Sequence, residues 1–67
     1  MKTLTCWYNT ITDETCNDIF HIYVINNGNF ITTFVKSEKE NRVLIPVPHK
    51  CREALGEMRQ KMMEISA

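Results

Sequence analysis

The chain has 67 residues, 43% of them hydrophobic and 24% charged, the make-up of one ordinary globular domain rather than of a disordered or fibrous protein. Eight basic and eight acidic side chains cancel. That balance argues against a protein held to nucleic acid chiefly through phosphates, because such affinity is built from many Lys and Arg contacts.

A chain this short buries only about 60% of the surface its unfolded form exposes, and small folds usually add disulfides, a metal or oligomerisation. Cys6, Cys16 and Cys51 are an odd number of cysteines with no CxxC pair, whereas a secreted disulfide framework normally shows an even set. The opening MKTLTCWYNT lacks the apolar run of a signal peptide. No stretch approaches the roughly 20 apolar residues of a membrane span. These features predict a reduced, soluble, cytoplasmic protein with no membrane partner.

Residues 3–11, TLTCWYNTI, are rich in Thr, aromatic and β-branched side chains and predict a first strand. Alternation sets Leu4, Cys6 and Tyr8 on one side and Thr5, Trp7, Asn9 and Ile11 on the other. Residues 12–18, TDETCND, break that pattern with polar turn formers and predict a loop. Two strands hinged on Asn27-Gly28 follow, in HIYVINNGNFITTFVK. A two-residue type I′ turn there pairs Val24 with Ile31, Tyr23 with Thr32, Ile22 with Thr33 and Phe20 with Val35. Residues 37–41, SEKEN, form a charged connection, and residues 42–48, RVLIPVP, predict a fourth strand that Pro46 restricts to a sheet edge.

The remainder, PHKCREALGEMRQKMMEIS, predicts a helix. Cys51, Ala54, Leu55, Met58, Met62 and Ile65 recur at spacings of three and four and make one apolar stripe. Pro48 suits the first helical position, where its missing N–H costs nothing. Met63 falls outside the stripe. The order is ββββα, an α+β fold with a four-stranded antiparallel sheet and one C-terminal helix, all in a single domain over residues 1–67.

The hairpin has two apolar faces and the chain has one helix. Phe20, Ile22, Val24, Ile31, Thr33 and Val35 make the natural bed for the helix stripe. The opposite face carries Ile19, His21, Tyr23, Ile25, Phe30, Thr32 and Phe34, joined from the first strand either by Trp7 and Ile11 or by Tyr8. Nothing left in the chain shields it. Large exposed apolar patches usually mark interaction sites, and at roughly 25 cal/mol per Å² several wet apolar side chains forgo several kcal/mol. Two coverings compete. One is a second copy, giving a homo-oligomer, most simply a dimer. The other is a host protein or a nucleotide-like ligand on the aromatic side chains, which anchor hot spots and stack planar rings. Trp7, Tyr8, His21, Tyr23, Phe30, Thr32 and Phe34 are the candidate contact surface.

Other constellations have plainer readings. His21 fits a half-buried strand histidine as well as a donor to a ligand. Cys6, Cys16, Cys51, His21 and His49 lack the paired spacing of a structural zinc site, and Cys6 and Cys51 fit core positions, so no metal or cofactor is expected. Cys16 beside Asn17 and Asp18, with His21 nearby, is the one nucleophile–base pairing, but so small a chain offers little scaffold for a pocket, and no enzymatic activity is expected. Lys36, Lys39, Arg42, Lys50, Arg52, Arg59 and Lys61 are interleaved with Glu38, Glu40, Glu53 and Glu57, the pattern of a solvated surface.

The element order, and the join RVLIPVPHKCREALGEM in which a strand runs through proline into a long helix, resembles the single-stranded-DNA-binding domain of the positive-cofactor transcription coactivators. The resemblance implies a dimer formed through the helices and unpaired strands bound across the sheet. Those domains present Lys and Arg on the sheet, where strands 2 and 3 here offer only Lys36. The sequence therefore predicts first a non-enzymatic binding protein that blocks or sequesters a partner, of the kind that phages and mobile elements encode as inhibitors or accessory factors. A single-stranded nucleic-acid-binding dimer is the alternative.

Overall fold

The computed structural model describes residues 4–66 of the chain. It contains β1 (Thr5–Asp13), β2 (Asp18–Asn26), β3 (Ile31–Ser37), β4 (Arg42–Val43) and α1 (His49–Ser66). The four strands form one antiparallel meander in the order β1-β2-β3-β4. The α+β fold read from the sequence is therefore present. Thr3, placed in the first strand by the sequence, lies outside the described residues.

The β2–β3 hairpin differs from expectation in its turn. Val24 pairs with Thr33, Tyr23 with Phe34 and Ile22 with Val35, two residues along from the predicted register. The cause is local. Asn26 Oδ1 accepts from Gly28 N at 2.8 Å, and Asn27 Oδ1 accepts from Asn29 N and Phe30 N, both at 3.0 Å. These side-chain bonds stabilise a longer loop over residues 27–30 in place of the two-residue turn. Gly28 alone among these residues has positive φ, at 93°, whereas a type I′ turn needs it at both central positions. Because the slip is two residues and side chains alternate, each strand residue keeps its face.

β1 runs two residues beyond its predicted end, to Asp13. The turn after it is closed by Asp13 Oδ1, which accepts from Thr15 N at 3.1 Å and Cys16 N at 3.4 Å. Asn17 supplies the left-handed residue at φ 53°, a conformation Asn tolerates better than most side chains. β4 is far shorter than the seven residues predicted: only Arg42 and Val43 are strand. Leu44 still donates its N–H to Val35 O at 2.8 Å. The chain then leaves the sheet through a cis Ile45–Pro46 bond, and Pro46 has no N–H with which to continue the ladder.

The helix begins at His49, with Pro48 just before it accepting the N–H of Cys51 at 2.9 Å. Phe20, Ile22, Val24 and Val35 from the sheet and Cys51, Met58 and Met62 from the helix make the buried core. Trp7, Ile11, Ile31, Leu44, Val47, Ala54 and Leu55 pack around it. Ile65, assigned to the stripe, is 69% exposed, so the core ends one turn earlier than the periodicity. The molecule measures 42 × 20 × 17 Å. With packed layers about 10 Å apart, that thickness holds one sheet and one helix and no third layer.

Candidate interaction face

Strand pairing decides which side chains share the uncovered side. Tyr8 pairs with Tyr23 and Tyr23 with Phe34, so three rings stand abreast on three strands. The Tyr23 and Phe34 rings are stacked, 4.7 Å between centroids and 18° between planes. Tyr8 and Tyr23 are 5.1 Å apart and tilted by 47°. Tyr8 also stacks on His21 at 5.7 Å and 19°, and its hydroxyl bonds His21 Nδ1. Around this ladder lie Cys6, Thr10, Thr12, Ile19, Ile25, Thr32, Lys36 and Val43, all on the same side by register.

No element of the described chain crosses this side. Tyr8 is 53% exposed, and His21, Tyr23 and Phe34 are half-buried, shielded sideways by one another. Tyr23 stands between Tyr8 and Phe34, tilted against the first and stacked on the second, so its ring faces are taken up within the ladder and its edge is what remains for a partner. Ring edges carry the positive side of the quadrupole, and they suit carbonyl or carboxylate oxygens better than a flat base.

The rim near His21 is polar. Glu38 Oε2 lies 3.9 Å from His21 Nε2, and a shallow depression of about 150 Å³ opens between His21, Tyr23, Lys36, Glu38 and Asn41. The loop that carries Glu38 is fixed from the helix side by Asp18. Asp18 Oδ2 accepts from Ser37 Oγ at 2.5 Å, and Oδ1 accepts from Lys39 N at 2.8 Å and Ile19 N at 2.7 Å. Ser37 Oγ in turn accepts from Glu40 N at 3.0 Å. The Ser37 hydroxyl, with these amides, outweighs the cost of burial and holds the Asp18 carboxyl below its ordinary range.

Of the candidate contact residues, Tyr8, His21, Tyr23, Thr32 and Phe34 share the face. Two do not belong with them. Trp7 pairs with Val24 on the helix side and packs against the core, because β1 alternation gives the outer face to Tyr8. Phe30 is drawn into the 27–30 loop by the Asn27 side chain and is 63% exposed. Sequence reasoning missed the Asp18–Ser37 clamp and the approach of Glu38 to His21. The signal was an Asp opening one apolar strand and a Ser closing the next, both of helix-side parity.

The cysteines and histidines are scattered. Cys6, expected to fit a core position, is exposed on the ring face, Cys16 is exposed in the 14–17 turn, and Cys51 is buried on the sheet-facing side of α1. Among the described residues no three His, Cys, Asp or Glu side chains gather to hold a metal. Cys16 is the reverse of an activated nucleophile: its hydrogen bond to Asp13, and that carboxylate's charge, push the thiol's pKa up, while catalytic cysteines need it lowered. Burial raises the Cys51 thiol likewise. Partial burial opposes ionisation of Asp13, but hydrogen bonds from Cys16 and Thr15 and the charge of Lys50, 3.6 Å away, leave it lowered.

Three of the described basic residues are tied to neighbouring groups. Arg42 pairs with Glu40 at 3.1 Å, Lys50 with Asp13, and Lys39 Nζ reaches Cys16 O at 3.2 Å. Lys36 is the one Lys or Arg on the ring face among the described strand residues. No helix of the described chain is long and apolar enough to cross a membrane.

Fold and face together define a small α+β domain whose sheet the described residues roof on one side only. Comparison of the chain with protein-family models, with curated proteins and with solved structures finds no match.

Proposed function

We propose that the chain is a non-catalytic binding module that blocks or sequesters a protein partner through its ring face. The observation carrying this reading is the Tyr8–Tyr23–Phe34 ladder, ordered ring against ring on a side that nothing in the described chain covers. Rings already in register lose little side-chain entropy on binding, which is what makes aromatic anchors effective. His21, Thr32, Lys36 and Glu38 surround them with the polar groups that give a contact its selectivity.

Single-stranded nucleic acid, the alternative partner, has three rings on three strands in its favour. Against it stand the mutual stacking of Tyr23 and Phe34 and a face with Lys36 as its cation.

The test uses Phe34→Glu and Tyr8→Ala on the face and Arg52→Glu on the outer side of the helix, each checked for folding by circular dichroism. Partner capture by the purified chain should fall at least tenfold, about 1.4 kcal/mol, for the face variants and stay unchanged for Arg52→Glu. In parallel, a single-stranded oligonucleotide is titrated at about 50 and 200 mM salt. Tight oligonucleotide binding that collapses with salt, or partner capture indifferent to Phe34→Glu, sinks the proposal.

A further inference from the structure

The two edges of the sheet are unlike. At one, β4 is two residues long and is followed three residues on by Pro46, the usual ways of blunting an edge. At the other, β1 is nine residues long, TCWYNTITD, and contains no proline and no charge before Asp13. An edge strand of that length with no gatekeeper is a template for another strand.

The direction of its hydrogen-bonding groups follows from two contacts. Glu38 N donates to Ile19 O at 3.0 Å, so the odd-numbered residues of β2 direct their backbone groups to β3 and the even-numbered ones to β1. Ile19 pairs with Thr12, which makes the even-numbered residues of β1 the ones that point outward. Thr10 agrees: its N–H has turned to its neighbour Asn9 Oδ1 at 2.8 Å. The outward set is Cys6, Tyr8, Thr10 and Thr12. Lys50 Nζ lies 3.4 Å from the Thr12 carbonyl and guards that end. The open run is centred on Tyr8.

We propose that a second copy of the chain adds to this run, antiparallel and two-fold about Tyr8, joining two sheets into one of eight strands. The register sets Tyr8 beside its own counterpart and Cys6 beside Thr10 of the second copy, leaving the Lys50 contact intact. It brings no charged side chain against a like charge. It also extends the ring ladder without a break, Phe34–Tyr23–Tyr8 running into the same three rings reversed, and cross-strand aromatic pairs favour sheet pairing. On the helix side, α1 packs over β2 and β3, so the half-exposed Trp7 and Ile11 of both copies would floor a trough between two helices. Pairing at the edge leaves the ring faces of both copies open, so this assembly does not depend on the binding role proposed above.

Analytical ultracentrifugation of the full chain should show a dimer. Thr10→Pro removes the outward N–H that would exchange Asn9 Oδ1 for the second copy's Cys6 carbonyl, and should weaken the dimer at least tenfold, and Phe34→Glu should leave it in place. Thr10→Cys, in a Cys16→Ser background, should form a disulfide to Cys6 of the second copy under mild oxidation, since directly paired strand residues lie about 5.5 Å apart between Cα atoms. This crosslink decides the matter even if the proline variant fails to fold. A monomer at millimolar concentration, or a dimer that does not crosslink through Thr10→Cys, overturns the assignment.

Discussion

Asp18 ties β2 to the end of β3 and the β3–β4 loop with two accepted hydrogen bonds, from Ser37 and Lys39, beside a local one from Ile19, and its lowered pKa couples that link to pH. The folded chain holds the carboxylate below its unfolded value, so unfolding takes up a proton in the intervening range. The stability this contributes is complete above the ordinary Asp value of about 3.9 and is lost as pH falls through the lower folded value. Urea midpoints should therefore fall progressively as the pH is lowered below about 4. Asp18→Asn should be less stable at neutral pH and lose less on acidification; parallel profiles for the two proteins contradict the clamp. Ser37, fully buried, both donates and accepts in this cluster, and Ser37→Ala should cost about 1–3 kcal/mol in urea unfolding. Little of this was legible beforehand, because its partners lie about twenty residues apart and meet only through sheet register.

At the scale of elements, what could be read was whatever depends on alternation or helical spacing alone. The two faces of β2 and β3 and the stripe from Cys51 to Met62 come from period, which a two-residue register slip leaves untouched. What failed depends on side chains bonding backbone: Asn27 lengthened a turn, and Pro46 cut β4 short. The choice between Trp7 and Tyr8 for the outer face needed the β1–β2 register, which the polar 12–18 segment does not announce. Burial separates helix positions that look alike in sequence. Met62, 1% exposed, should cost about 2–5 kcal/mol when cut to Ala, whereas Ile65→Ser should change stability by less than about 0.5 kcal/mol. Gly56 sits inside α1, and apart from its own stretch of helix nothing lies within 4 Å of where a Cβ would stand. Gly56→Ala should therefore stabilise the fold, by up to about 1 kcal/mol. Thermal melts of the three variants check all of these, and a destabilising Gly56→Ala would mean that the outer side of the helix is covered by something else.

For the whole molecule, the governing fact is asymmetry of covering. One sheet has two apolar sides, and the chain spends its helix on the side built from Phe20, Ile22, Val24 and Val35. The other side is ordered by rings stacked across strands, with Tyr8 and Ile19 facing water and Phe34 shielded only laterally. That division was legible from a count of helices against apolar faces. The identity of the occupant was not, because a face of rings and threonines constrains chemistry more than it names a molecule.

Hydroxyl-radical footprinting of the free chain, read residue by residue by mass spectrometry, tests the uncovered face most directly. Tyr8, Tyr23, Phe34 and Met63 should be oxidised readily while Phe20 and Met62 on the roofed side stay protected. Tyr23 and Phe34 as inert as Phe20 would mean that the chain seals this side for itself, and would leave it no free face with which to bind.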